Sequence, residues 1–135
     1  MENFLKKKSF DKNGILSFDI IDEKTKKVTE FYDEKPFPNY KDDDNKHTIL
    51  NKGDKNFLAN QFKKFIGYKK NVLEVGCGTG QLSNYFAIGT NNNIVGLDPT
   101  TASLSLAKEF ADKNKISNIQ FVNADIFDDV LKDEI

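Results

Sequence analysis

The 135-residue sequence has no arginine and no tryptophan, and only one cysteine, one histidine and one methionine. A single cysteine excludes an internal disulfide and any metal site built on a cysteine pair. Without arginine the best bidentate clamp for phosphate or guanine is missing, and nucleic acid is not an expected partner. No apolar run approaches the length of a transmembrane helix, so no membrane association is expected. No charged segment followed by an apolar stretch and small residues opens the chain, so the expected compartment is the cytoplasm.

What is present is enough for a globular core. Twelve Phe and four Tyr accompany 38% hydrophobic residues, and 20 Lys nearly balance 21 acids for a net charge of −1. The balance is uneven along the chain. Residues 1–70 hold 16 Lys and 12 acids, a net +4; residues 71–135 hold 4 Lys and 9 acids, a net −5. Neither half has the concentrated basic character of a nucleic-acid binder.

Two regions differ in texture. Residues 1–56 read as a polar N-terminal extension holding a hairpin and a lid. The turn is Asn13-Gly14, and Ile15–Ile21 is the first strand. A second turn is expected at 22–27, followed by a strand at 28–32. The segment around Pro36-Phe37-Pro38 must be extended, and Asp42–Asn45 is a loop. That loop lacks the glycine and terminal glutamate of a calcium site, and no metal site is expected.

Residues 57–135 alternate helix and strand. Phe57, Leu58, Phe62, Phe65 and Ile66 share one helical face, expected to pack in the core, and Gly67 ends that helix. Strands follow at 71–75, 93–98 and 118–122. Between them lie helices at 81–88 and 100–113, the second with Leu104, Ala107, Phe110 and Ala111 as its buried stripe. This order predicts an α/β fold with a parallel sheet and helical crossovers.

The informative segment is Val72-Leu73-Glu74-Val75-Gly76-Cys77-Gly78-Thr79-Gly80. A strand runs into three alternating glycines and then a helix. Such glycines permit a tight turn and let a ligand approach the main chain. The spacing is G-x-G-x-G, whereas a dinucleotide pyrophosphate normally takes G-x-G-x-x-G. Asp98 ends the second strand, where an acid can accept from both hydroxyls of a ribose. Asp125 ends the third, where a carboxylate can accept from an adenine amino group, with Ile126 against the ring. The three positions fall at the carboxyl ends of adjacent parallel strands, the usual ligand crevice of open α/β sheets.

This pattern resembles that of class I methyltransferases dependent on S-adenosylmethionine. Their first motif is apolar-apolar-acid-x-Gly-x-Gly-x-Gly. Glu74, Gly76, Gly78 and Gly80 match it position for position, Asp98 matches the second acidic position, and Asp125 the third. The resemblance covers residues 57–130. It implies a Rossmann-like sheet with helices on both faces, of which the first three of seven strands are present in a partial cofactor-binding domain over 57–135. It implies S-adenosyl-L-methionine as cofactor, with the backbone from Gly76 through Cys77 and Gly78 to Gly80 along the methionine moiety. Glu74 then holds the turn and the ammonium end, Asp98 and Pro99 lie at the ribose, and Asp125 and Ile126 at the adenine. A cofactor with a sulfonium and an ammonium suits an acidic pocket; Glu74 would oppose a diphosphate.

The acceptor and the catalytic base are not identified by the sequence, and Tyr40 and His47 are the only candidates for the base. Cys77, with no neighbouring histidine in sequence, is not expected to be a nucleophile. Tyr32, Phe37, Asn39 and Tyr40 are candidates for the lid. The chain ends where a fourth strand is expected, which leaves a sheet edge open to association and suggests a fragment of a longer protein. Two alternative readings stay open: a nicotinamide-dependent oxidoreductase, and a truncated cofactor-binding module without turnover.

Overall fold

The computed structural model describes residues 10, 14–18, 23, 24, 26, 27, 30, 36 and 38–125. Its sheet has four strands: β1 (Leu16–Ser17), β2 (Asn71–Val75), β3 (Asn93–Asp98) and β4 (Ile119–Asn123). Their spatial order is β1-β4-β3-β2 and every pairing is parallel. Helices with fully described bounds accompany them: α1 (Lys46–Lys55), α2 (Phe57–Ile66), α3 (Gln81–Ala87) and α4 (Thr101–Lys113).

Strand β3 shows why the sheet forms. Ile94, Val95 and Leu97 are all buried, so both faces of the strand are covered, as parallel strands require. Ile94 and Phe121 face one side, where they meet Tyr85 and Phe86 of α3 and Leu104, Ala107 and Phe110 of α4. Val95, Leu97 and Val122 face the other, beside Leu16, Phe18 and Ala124. Right-handed crossovers repeated in one direction, from β2 through β3 to β4, set α3 and α4 on the same face. Fully burying a side chain such as Leu104 is worth about 1.5–3 kcal/mol.

Of the expected Asn13-Gly14 turn, Asn13 lies outside the described residues and Gly14 sits at φ +75°, two residues before β1. Phe10 bridges antiparallel to Leu16 across it. Strand β1 then lies along β4, and the Phe18 amide donates to the Asn123 carbonyl at 2.7 Å.

Three expectations are corrected. Glu23, Lys24, Lys26, Lys27 and Glu30 are helical rather than a turn and a strand. Lys and Glu are good helix formers, and Lys26 pairs with Glu23 at 3.7 Å, one turn apart. Residues 46–55, read as part of an irregular region, form α1. Asn45 caps it with a capping box completed by Thr48. The Phe stripe of α2 is not core: Phe57, Leu58, Phe62 and Phe65 are exposed, Phe65 at 88%. The helix is amphipathic as its spacing says, but no described element covers its apolar face. Of the apolar residues of α2, Ala59 and Ile66 pack against the main cluster.

Candidate functional site

The carboxyl ends of β2, β3 and β4 converge on Asp98. The Gly76 and Cys77 amides both donate to the Leu97 carbonyl, at 2.7 and 3.0 Å, stitching the glycine turn to the end of β3. The Gly78 amide donates to Asp98 Oδ2 at 2.9 Å, and the Thr100 amide to Asp98 Oδ1 at 2.9 Å. On the β4 side the Ala124 amide donates to the Asp98 carbonyl at 3.1 Å, and Asn123 Nδ2 to the same oxygen at 3.3 Å. One buried residue therefore holds the glycine turn, the β3–α4 connection and the end of β4 in a single frame. Each Asp98 carboxylate oxygen still has a lone pair for a further donor.

The glycines answer different needs. Gly76 and Gly80 both sit at φ +75°. A Cβ at Gly76 would meet nothing within 4 Å, so this part of the turn opens onto free space. A Cβ at Gly80 would come within 2.7 Å of the Ala107 Cβ and 2.8 Å of the Phe121 ring. Gly80 thus lets the start of α3 press against α4 and β4.

Glu74 is half-buried in β2, and its Oε1 accepts from the Ser83 hydroxyl of α3. Burial pushes its carboxyl above the ordinary value, the Ser83 bond lowers it, and the Asp98 charge raises it again. The Cys77 side chain points away from the turn's open side, packed over Gly96, where an added Cβ would stand 2.9 Å from Sγ. Burial first, then the Asp98 and Glu74 charges, push its thiol well up, so it stays protonated. Pro99 is half-buried between Asp98 and Thr100, and Asp125 is buried two residues past β4. Ile126, Tyr32 and Phe37 lie outside the described residues. His47 is exposed in the first turn of α1.

Three contributors went unread in the sequence as partners of this site: Ser83, Thr79 and Asn84. Ser83 follows Gly80 by three residues, about one helical turn, which is the only sequence signal for it. Thr79 is wholly buried, and its hydroxyl donates to the Pro38 carbonyl. The Tyr40 hydroxyl donates to the Thr79 carbonyl at 2.8 Å and accepts from Asn84 Nδ2 at 3.1 Å. The Tyr40 ring stacks on Phe110 at 4.5 Å and 10°.

A profile of the methyltransferase domain family matches residues 66–134, half of the chain, and the chain belongs to that family. It is 33% identical over 73 residues to a probable S-adenosylmethionine-dependent methyltransferase of Saccharomyces cerevisiae. That match covers 50% of this chain and 23% of the yeast protein, so the chain spans about a quarter of this curated relative. Magnesium protoporphyrin IX methyltransferase from Synechocystis, solved with bound S-adenosylmethionine, superposes with a TM-score of 0.52 at 14% identity. The match covers 80% of this chain and 57% of that one. The [4+2]-cyclase SpnF superposes at 0.53 with 20% identity, covering 75% of this chain and 43% of that one. These likenesses establish the Rossmann-like fold of class I methyltransferases. The cyclase is a reminder that such a fold hosts more than one chemistry.

S-adenosyl-L-methionine is the cofactor this family implies, and the residues present fit it. Asp98 accepts from the Gly78 amide within the glycine turn, Glu74 stands two residues before Gly76, and neither forms an ion pair among the described residues. Two carboxylates without a cation suit a ligand carrying a sulfonium and an ammonium and would repel a diphosphate.

Proposed function

We propose that this chain is the cofactor-binding portion of a methyltransferase that moves a methyl group from S-adenosyl-L-methionine to an acceptor not yet identified. The observation that carries the reading is the pair Glu74 and Asp98, uncompensated by any described cation, beside a turn opened by Gly76. The bound cofactor supplies an electrophilic methyl on a positively charged sulfur. The chain's own residues bind and orient. The backbone from Gly76 to Gly80 lies along the methionine moiety, with Cys77 contributing main chain only. Asp98, beside Pro99, accepts from the ribose hydroxyls with the lone pairs its backbone bonds leave over. Glu74, steadied by Ser83, offers charge to the ammonium. Asp125 accepts from the adenine amino group, with Ile126 at the ring.

Rate enhancement then rests on holding an acceptor nucleophile in line with the methyl. The Tyr40 hydroxyl is already engaged with Thr79 and Asn84, and His47 is exposed on α1, so neither is given the role of base. No helix among the described residues is long and apolar enough to cross a membrane. Strand β2 ends the described sheet, the edge to which further strands of a methyltransferase unit would add.

Calorimetric titration of the intact protein with S-adenosylhomocysteine tests the reading, with NAD and Asp98→Ala as controls. Saturable binding of the first ligand alone, lost in the variant, is expected. Binding of NAD instead would favour an oxidoreductase, and a folded protein that binds neither would sink the cofactor site.

A further inference from the structure

Three consecutive residues far upstream of the glycine turn make three hydrogen bonds at its helix end, two to Thr79 and one to Gln81, the first residue of α3. The Pro38 carbonyl accepts from the Thr79 hydroxyl, the Asn39 carbonyl accepts from Gln81 Nε2 at 3.2 Å, and the Tyr40 hydroxyl donates to the Thr79 carbonyl at 2.8 Å. The grip has a rigid backing. Tyr40 is stacked flat on Phe110 of α4, and its hydroxyl also accepts from the fully buried Asn84 of α3. Gly78 and Gly80 on either side of Thr79 are at φ +58° and +75°, a conformation with little local preference of its own. From the strand side the turn is held by Leu97 and Asp98. On its helix side it is held by this upstream segment, through side chains as well as main chain.

We propose that Pro38–Tyr40 is a latch that sets the Gly78–Gly80 backbone for the methionine end of the cofactor, with Tyr40 as its positioning residue. The inference rests on the cofactor reading above and adds a residue-level control to it. Tyr40 acts through Thr79: its hydroxyl is spent on that carbonyl and on Asn84, and its ring on Phe110. A segment that orders the ligand's binding surface is itself ordered by the ligand, because coupling between two sites is reciprocal. Docking of Pro38–Tyr40 and cofactor affinity therefore rise and fall together.

The test is Tyr40→Phe in the intact protein, which keeps the stack on Phe110 and removes the hydroxyl. Affinity is measured for S-adenosylhomocysteine and for 5′-methylthioadenosine, which lacks the amino-acid end. Hydrogen exchange of the 76–81 backbone is followed without ligand. The expected result is faster exchange at the turn and binding of S-adenosylhomocysteine weaker by about tenfold, the scale of one lost hydrogen bond, with methylthioadenosine unchanged. Equal losses for both ligands, or unchanged exchange, would reduce Tyr40 to a packing residue and overturn the latch. Should Tyr40→Phe not fold, Thr79→Val, which removes the hydroxyl bond to Pro38 at constant shape, is expected to give the same split. Wild-type protein that is folded yet binds neither ligand would overturn the cofactor reading itself, an outcome separate from a failed latch.

Discussion

Asp98 and Gly78 are joined by a 2.9 Å hydrogen bond from the Gly78 amide to Oδ2, while Oδ1 takes the Thr100 amide. A strand-end carboxylate thus shapes the glycine turn before any ligand is considered. Asp98→Asn retains the shape but turns one acceptor into an NH2 donor, which must face one of two backbone N–H groups. The residue is 8% exposed, so water does not relieve the clash. A loss of about 1–3 kcal/mol in unfolding free energy is expected, read by urea denaturation, together with weakened binding of S-adenosylhomocysteine.

Glu74 makes stability depend on pH. Its folded carboxyl lies above the ordinary 4.5, chiefly through burial and then through Asp98, against the lowering bond from Ser83. The folded state holds this proton more tightly than the unfolded chain does. Its contribution is therefore full below about 4.5 and is lost as pH rises through the raised value. Glu74→Gln should remove that slope, so the stability difference between wild type and variant shrinks toward acid and grows in the variant's favour toward neutral pH. Unfolding curves across that range check it, and a difference independent of pH would contradict it.

Much of the fold was legible. The strands at 71–75 and 93–98 stand where their apolar runs place them, and the helix of 101–113 starts directly after its N-cap Thr100. Apolar period and glycine punctuation fix these elements locally. Asp98 and the glycines were legible because chemistry demands them at set distances from strand ends. Helix α1 was not, since Lys46–Lys55 has a glycine near its C-terminal end and only Ile49 fully buried. The Tyr40–Thr79 bond spans 39 residues, and no local pattern encodes such a pairing. Periodicity in α2 correctly marked an apolar face but carries no information about what covers it.

That last distinction is measurable. Phe65 is 88% exposed, whereas Phe110 is 6% exposed and stacked under Tyr40. Phe65→Ser should move unfolding free energy by no more than about 0.5 kcal/mol. Phe110→Ala should cost about 3–5 kcal/mol. Comparable losses in both denaturation midpoints would mean that the α2 stripe is covered in solution.

Gly53 sets helix propensity against packing. It lies in the last turns of α1, where replacing glycine by alanine normally gains about 1 kcal/mol. An added Cβ, however, would stand 2.3 Å from Tyr85 Cδ1 and 2.4 Å from Cε1. Tyr85 has little room to retreat. It is 1% exposed, its hydroxyl donates to Asp54 Oδ1 at 2.8 Å, and Lys63 Nζ sits 4.4 Å over its ring. Lys63 is held there by the Tyr85 and Ile88 carbonyls at the end of α3, at 2.6 and 2.8 Å. Overpacking against a ring so fixed costs about 1–3 kcal/mol, which exceeds or cancels the propensity gain. Gly53→Ala should therefore fail to stabilise the protein and lower its denaturation midpoint. An increase in midpoint would show that α1 slides on α3 freely enough to absorb a methyl group.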